Sequence, residues 1–531
     1  RRSVRTLLRE GQSHLFEHWP PPGEHDDDKR RFSEQVEKFS ERYPGGLAAY
    51  VRRAKTLQEY VGSNQRHKEF EGCTPSIAEG VILKYGSRKY VEYEEAGLKE
   101  FARVAFVLVA GGSAERLNRG NEIKLELPTE SATGICFLEL YIKSILAIQH
   151  SAKKRLAFKA AKIPFVIMSS DYTHSRIKKL LTTNDCFGMC PDQIYLLKQE
   201  NTAPCLNRKT ANLLLSSNDP YLIKTMPGGS GEVHAILFSS GLLQTWKKEG
   251  RNWVVIFEEG NGLTFKATPA LLGASMLCDF DVNLLASARK GESPGAGIVQ
   301  FSNKSGSRMV ANIDCIHQVL SSMGHRHMDL NDFTTAHSPF PTGLDQMVLK
   351  PGPYLDELTN TQGRDMPTVL PLAMRLETRM QDYTRNLKPS AKVGFTTMDE
   401  WLIYAPLKNS APSAAKVPEC SSPASSEMAI YKANCLILQN VGAYVEGGME
   451  IDFGHAQKVQ MWPRIVWHPG WALTSSDVLK KMLYEKERSS ITLASSLVLS
   501  APDIVIENLQ LDGTLFVHTV PGVIVSEKSS R

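Results

Sequence analysis

At 531 residues the chain has room for a core and for about two to four domains. Its 42% hydrophobic and 22% charged content is ordinary for a globular protein, and a net charge of +5 with no long basic block argues against nucleic acid as a main partner. No apolar run approaches the roughly 20 residues that span a bilayer, and the nine scattered cysteines read as reduced structural thiols.

The chain opens on RRSVRTLLRE. This basic start reads either as a solvated helix start or as the remnant of a processed presequence, which leaves an organelle open. Residues 1–98 form a mostly helical segment, with amphipathic stretches at Phe32–Tyr43 and Gly46–Gly62. The acidic run Glu24–Asp28 before them reads as a solvated turn. Residues 99–474 alternate between strand and helix. Ala105–Val109, Phe165–Ser169, Ile194–Leu197, Trp253–Phe257 and Val282–Ala286 are expected strands. Cys136–Gln149 and Thr173–Leu181 are expected helices, the second capped by Thr173. The pattern predicts an α/β fold with a mostly parallel sheet flanked by helices. Asn409–Glu427, rich in Ser, Ala and Pro, reads as a long surface loop or lid. Residues 475–531 change texture: ITLASSLVLSAPDIVIENLQLDGTLFVH predicts stacked short strands, as in a β-helix or small sandwich.

The stretch VAFVLVAGGSAERLNRGNEIKLELP, Val104–Pro128, carries the chemistry. An apolar strand ends in Gly111 and Gly112, where a base or phosphate can approach the backbone. Successive backbone N–H groups there make an anion-binding concavity. A plain tight turn reads equally well, but Arg116 and Lys124 downstream suit a triphosphate.

Motifs along nearly the whole chain resemble the UDP-sugar pyrophosphorylase family of plants and algae. They include GQSHLFEHWPPPGEHDDDKRR, YPGGLAAYVRRA, FVLVAGG, FVIMSSDYTHSRI, LLKQE, GEVH, HSPFP, RLETRMQDY, YAPLKNS and LQLDGTLFV. The resemblance implies a helical N-terminal segment, a central nucleotidyltransferase domain and a C-terminal β-helix-like domain. It implies a reaction between UTP and a monosaccharide 1-phosphate, giving UDP-sugar and pyrophosphate with Mg²⁺, in the cytoplasm. By the same resemblance Gly111, Gly112, Gln199, Gly229 and Gly231 would hold the uridine. Lys124, Lys408 and Arg116 would meet the phosphates, Glu259 would hold the metal, and Asn261, Asn312 and Asp314 would face the sugar. Plainer readings stand beside these. Lys408 reads also as a solvated strand-end lysine, Gln199 as a loop-satisfying amide, and Asn261 and Asn312 as turn residues. The charges of RLETRMQDY read also as an ion-pair network.

Departures from the family pattern gather at the same positions. Ala114 and Asn118 stand where glycine is expected, and Met226, Gly228 and Ser230 where a lysine and two histidines are expected. FEEGNG places Glu259 where an aspartate is expected, lengthening the carboxylate arm by about 1.5 Å. In the sugar pocket Asp314 and Cys315 replace a glutamate and a tyrosine, and Asp345 an asparagine. These changes open three readings: a uridylyltransferase of reduced or lost activity, a non-catalytic subunit of a larger protein assembly, or a UDP-sugar-binding regulator.

Overall fold

The computed structural model describes residues 2–519 except 44, 63–69, 71, 113, 118–121, 157–161, 208, 289–296, 305–307, 314–341, 350–365, 370–372, 415–420, 453–457 and 484–488. Three helices open the chain: α1 (Arg2–Arg9), α2 (Asp26–Arg42) and α3 (Gly46–Gly62). The acidic run is not a turn. Asp26, Asp27 and Asp28 form the first turn of α2, where carboxylates are favoured by the helix dipole. Leu7, Phe32, Val36, Phe39 and Val51 bury themselves against Leu206, Ile223 and Leu376 of the central part.

The centre is an eight-stranded sheet. In chain order its strands are β1 (Glu79–Leu83), β2 (Val104–Val109), β3 (Phe165–Ser169), β4 (Ile194–Lys198), β5 (Trp253–Glu258), β6 (Val282–Ser287), β7 (Thr342–Leu349) and β8 (Val393–Met398). They lie in the order β1-β8-β6-β7-β5-β2-β3-β4. Only β7 runs antiparallel to its neighbours; the other pairings are parallel. β2, β3, β6 and β8 are buried along their whole length, which explains the continuous apolar sequences of β2 and β3.

Alternate residues of β2 feed two cores. Phe106 and Leu108 join the cluster under α4 (Arg88–Glu100), α5 (Phe137–Leu156), α6 (His174–Thr183), α8 (Thr264–Leu277) and α9 (Pro423–Asn440). Ala105, Val107 and Val109 join the opposite cluster, with Val233 and Leu237 of α7 (Glu232–Ser239). The region read as a long loop at 409–427 is partly helical. Pro423 sits at the first position of α9, and Ser422 and Ser425 form a capping box there.

Near the C-terminus β9 (Arg464–Trp467), β10 (Ser496–Leu499) and β11 (Thr514–Val517) stack in parallel. A second ladder stacks Tyr444–Val445, Ser490–Ile491 and Gln510–Leu511. The stack thus draws in strands upstream of residue 475. Ile465, Trp467, Leu497 and Leu499 share the cluster that contains Phe106, so the stacked strands and the central sheet are packed through one core.

Candidate active site

Four strands deliver loops to one rim: Ala110–Gly112 after β2, Ser169–Ser170 at the end of β3, Gln199 after β4, and Glu259–Asn261 after β5. Ligands of open parallel sheets sit outside these carboxyl ends. The loop after β2 is braced from β3. Ser170 Oγ donates to the Gly111 carbonyl and Thr173 Oγ1 to the Ala110 carbonyl, each at 2.8 Å. Thr173 therefore does not cap α6; its side chain makes no cap hydrogen bond.

Gln199 presses on the first glycine. A Cβ at Gly111 would lie 2.4 Å from Gln199 Nε2, so any larger residue there would push the amide aside. Gln199 is 3% exposed, and its Oε1 is buried without a hydrogen-bond partner among the described residues. A buried acceptor left unmet costs about 1–3 kcal/mol, which a ligand donor recovers.

Glu259 Oε1 lies 3.4 Å from Lys124 Nζ, with side-chain exposures of 8% and 17%. The same oxygen is 3.0 Å from the place of a Cβ at Gly112. Burial pushes the Glu259 carboxyl above its ordinary range, and the Lys124 charge pulls it back. Gly260, at φ 92°, takes up the turn. Its carbonyl accepts from Leu407 N at 2.7 Å, which brings Lys408 beside the rim. Lys408 Nζ donates to Tyr404 Oη at 3.1 Å.

Asn261 clamps two loops. Its Nδ2 donates to the Ile403 carbonyl at 2.8 Å, and its Oδ1 accepts from Leu263 N and Ala405 N. Tyr141 Oη accepts from Gly260 N and donates to the Asn261 carbonyl, both at 3.1 Å. Arg116 has an exposed side chain, and its carbonyl accepts from Ser410 N at 2.8 Å. Ala114 stands at φ 52°, left-handed backbone that a Cβ disfavours.

The second glycine loop rests on the RLETR segment. Thr378 N donates to the Gly228 carbonyl, and Gly231 N to the Thr378 carbonyl, each at 2.9 Å. Gly229 has φ 106°, and a Cβ there would lie 2.3 Å from the Thr378 carbonyl. Ser230 Oγ accepts from Met380 N at 3.3 Å. The Thr202 hydroxyl donates to the Glu232 carboxylate, tying this loop to the segment after Gln199. RLETRMQDY does carry ion pairs, Arg375 with Glu377 at 3.3 Å and Arg385 with Asp382 at 3.4 Å.

Gly111, Gly112, Gln199, Lys124, Glu259, Asn261 and Lys408 thus gather on neighbouring loops of the rim, while Gly229 and Gly231 reach it through Thr202 and Glu232. Asn312 lies on the strand Arg308–Ile313, opposite Ile298, with its side chain outside the described residues. Asn118, Asp314 and Cys315 also lie outside them, and Asp345 does so in its side chain. Sequence reasoning did not single out Ser170, Thr173 or Tyr141 as supports. The signal for the first two was present: small hydroxyl residues directly after an apolar strand, in SSDYTHSRI. Among the described residues no three His, Cys, Asp or Glu side chains cluster as a metal cage.

The comparisons agree with this geometry. Residues 56–295 match the family described as UTP–glucose-1-phosphate uridylyltransferase. A UDP-sugar pyrophosphorylase of Oryza sativa subsp. indica is 45% identical over 97% of this chain and 85% of its own length. The chain belongs to the UDP-sugar pyrophosphorylase family. The Arabidopsis thaliana member is 42% identical over 97% of this chain and 86% of its own. Among solved structures, a UDP-N-acetylglucosamine pyrophosphorylase from Trypanosoma brucei in complex with inhibitor aligns with a TM-score of 0.62. It is 16% identical and covers 90% of this chain and 93% of its own, a likeness of fold. This chain thus has the nucleotidyltransferase-type α/β fold, a mostly parallel central sheet flanked by helices. No helix among the described residues is long and apolar enough to cross a membrane.

Proposed function

We propose that this chain transfers a uridylyl group from UTP to a monosaccharide 1-phosphate, giving UDP-sugar and pyrophosphate. The observation that carries the reading is Gln199, a buried amide with an unmet Oε1 packed against Gly111. Uracil offers an N3–H donor beside carbonyl acceptors, the complement of a glutamine amide. The base then lies on Gly111 and Gly112, with Gly229 and Gly231 closing its other side. Lys124 and Lys408 meet the phosphates, and Arg116 reaches in from the loop that Ser410 ties down. Asn261 orients the sugar end through the loops it clamps, and the family resemblance assigns Asn312 and Asp314 to sugar contact.

The catalytic task is to align the sugar phosphate with the α-phosphorus and to stabilise the charge that moves to pyrophosphate. Lysines serve this as point charges. The Glu259 carboxylate fits Mg²⁺ as a single protein ligand, because Mg²⁺ usually takes one or two carboxylates and completes its shell with phosphate oxygens and water. When bound, the ion neutralises triphosphate charge. Glu259 and Lys124 hold each other in place until both face the nucleotide. We place the reaction in the cytoplasm on family resemblance.

A second reading, slowed turnover, is favoured by Ala114 at φ 52° on the phosphate loop. Steady-state pyrophosphate release from UTP with glucose, galactose, xylose and arabinose 1-phosphates, with Mg²⁺ present, tests both. Turnover that Lys124→Ala abolishes supports the transfer reading. Absence of turnover together with absence of UTP binding overturns it.

A further inference from the structure

A second concavity, about 710 Å³ in volume, opens between α2–α3 and the second glycine loop. Its walls include Gly228 and Gly231 of the second glycine loop but not Gly111, Gly112, Gln199, Lys124 or Glu259. The volume lies within the range of small-molecule sites, about 300–1,000 Å³. Phe39, Tyr43, Tyr50 and Tyr383 are among its lining residues.

Its charges balance, with Arg42, Lys198 and Arg379 against Glu200, Glu232 and Asp382. Nearly all of them are spoken for. Arg42 pairs with Glu200, Lys198 with Asp171, and Asp382 with Arg385 and the Arg379 backbone; Arg379 itself is engaged within the molecule. Glu232 differs. Its Oε1 takes the Thr202 hydroxyl, while its Oε2 is buried with no hydrogen-bond partner among the described residues. Burial pushes this carboxyl above its ordinary range, and Thr202, the Gly228 backbone and the charges of Arg42 and Arg375 pull the other way. Opposing charge is therefore already present, and the missing element is a neutral donor. Buried acceptors in folded proteins are rarely left unmet. An anion would face Glu232, and a cation would face Arg42, Lys198 and Arg379.

We propose that this cavity binds a neutral carbohydrate, one of whose ring hydroxyls donates to Glu232 Oε2 while the ring lies against the aromatic wall. Because Gly228 and Gly231 belong to both the cavity and the second glycine loop, bound sugar and bound nucleotide affect each other's affinity reciprocally; that consequence rests on the function proposed above, whereas the site itself does not.

The test is calorimetric titration of the full chain with glucose, galactose, xylose, arabinose and sucrose, with and without saturating UTP. The expected result is saturable binding of at least one sugar in both conditions. It weakens at least tenfold in Glu232→Gln and disappears in Ala235→Phe. Ala235 is an exposed position of α7 on the cavity wall, where the larger ring fills the space and leaves the melting temperature unchanged. No sugar binding to the wild type overturns the proposal. So does sugar binding that Ala235→Phe leaves intact, since it then lies elsewhere. Displacement of the sugar by inorganic phosphate or by spermidine overturns the assignment of a neutral ligand. Failure of UTP to bind bears on the proposed reaction alone, because the titration without UTP still reads the cavity.

Discussion

Replacing Gln199 with leucine separates a nucleotide-reading residue from a structural one. Gln199 is 3% exposed and its Oε1 has no hydrogen-bond partner among the described residues. Removing an unmet buried acceptor relieves the fold, so the melting temperature of Gln199→Leu stays level or rises. In the complex the same change removes hydrogen bonds to the uracil edge and leaves the base's polar groups unmet. At about 1–3 kcal/mol that is roughly a fivefold to 150-fold loss of UTP affinity. Titration calorimetry with UTP and thermal melting of the same preparations read the two effects together. A variant that melts early and binds UTP as well as the wild type refutes the reasoning, because Gln199 then serves the loop and not the ligand.

The Lys124–Glu259 pair yields a second prediction. Lys124→Ala leaves Glu259 buried without its counter-charge and costs about 3 kcal/mol in chemical denaturation, while Lys124→Met with Glu259→Leu recovers stability and leaves turnover abolished. Ala114→Gly relieves the left-handed backbone at φ 52° by about 1 kcal/mol, read as a higher denaturation midpoint, and raises kcat if the phosphate loop limits the rate. His234 is buried, stacks on Tyr383 and has its pKa lowered from 6.5 to about 4 by burial, opposed by the Met380 carbonyl at 2.8 Å from Nε2. Since the folded state binds this proton more weakly, its stability contribution is complete above pH 6.5 and is lost as pH falls toward 4. The urea midpoint therefore drops across that window, and His234→Gln flattens the slope.

The strands β2, β3 and β5 were legible because strands buried on both faces demand unbroken apolar runs, and VAFVLV, FVIMS and WVVIF carry little else; β4, β6 and the helix α5 were legible from shorter or periodic apolar stretches. β1, β7 and β8 were not marked. EGVIL, TGLDQMVL and VGFTTM interrupt their apolar residues with glycine, acid or threonine, and their places are set by neighbours distant in sequence. Asp26–Asp28 misread as a turn for a related reason: acidic residues suit solvent and helix N-termini alike, and only the packing of Phe32, Val36 and Phe39 decides. At the rim, Gly111 and Gly112 were visible from their place after a strand. The Gln199 contact with Gly111 and the Tyr141 bridge to Asn261 were not, since each joins segments tens of residues apart. At Ala114, where the family resemblance leads one to expect glycine, the backbone is left-handed at φ 52°.

The structure of the chain bound to UTP and Mg²⁺ tests the central claim most directly. The account predicts the uracil edge on Gln199, its ring over Gly111 and Gly112, and the triphosphate between Lys124 and Glu259. A nucleotide seated away from Gln199, or a triphosphate that leaves the Lys124–Glu259 pair untouched, contradicts it.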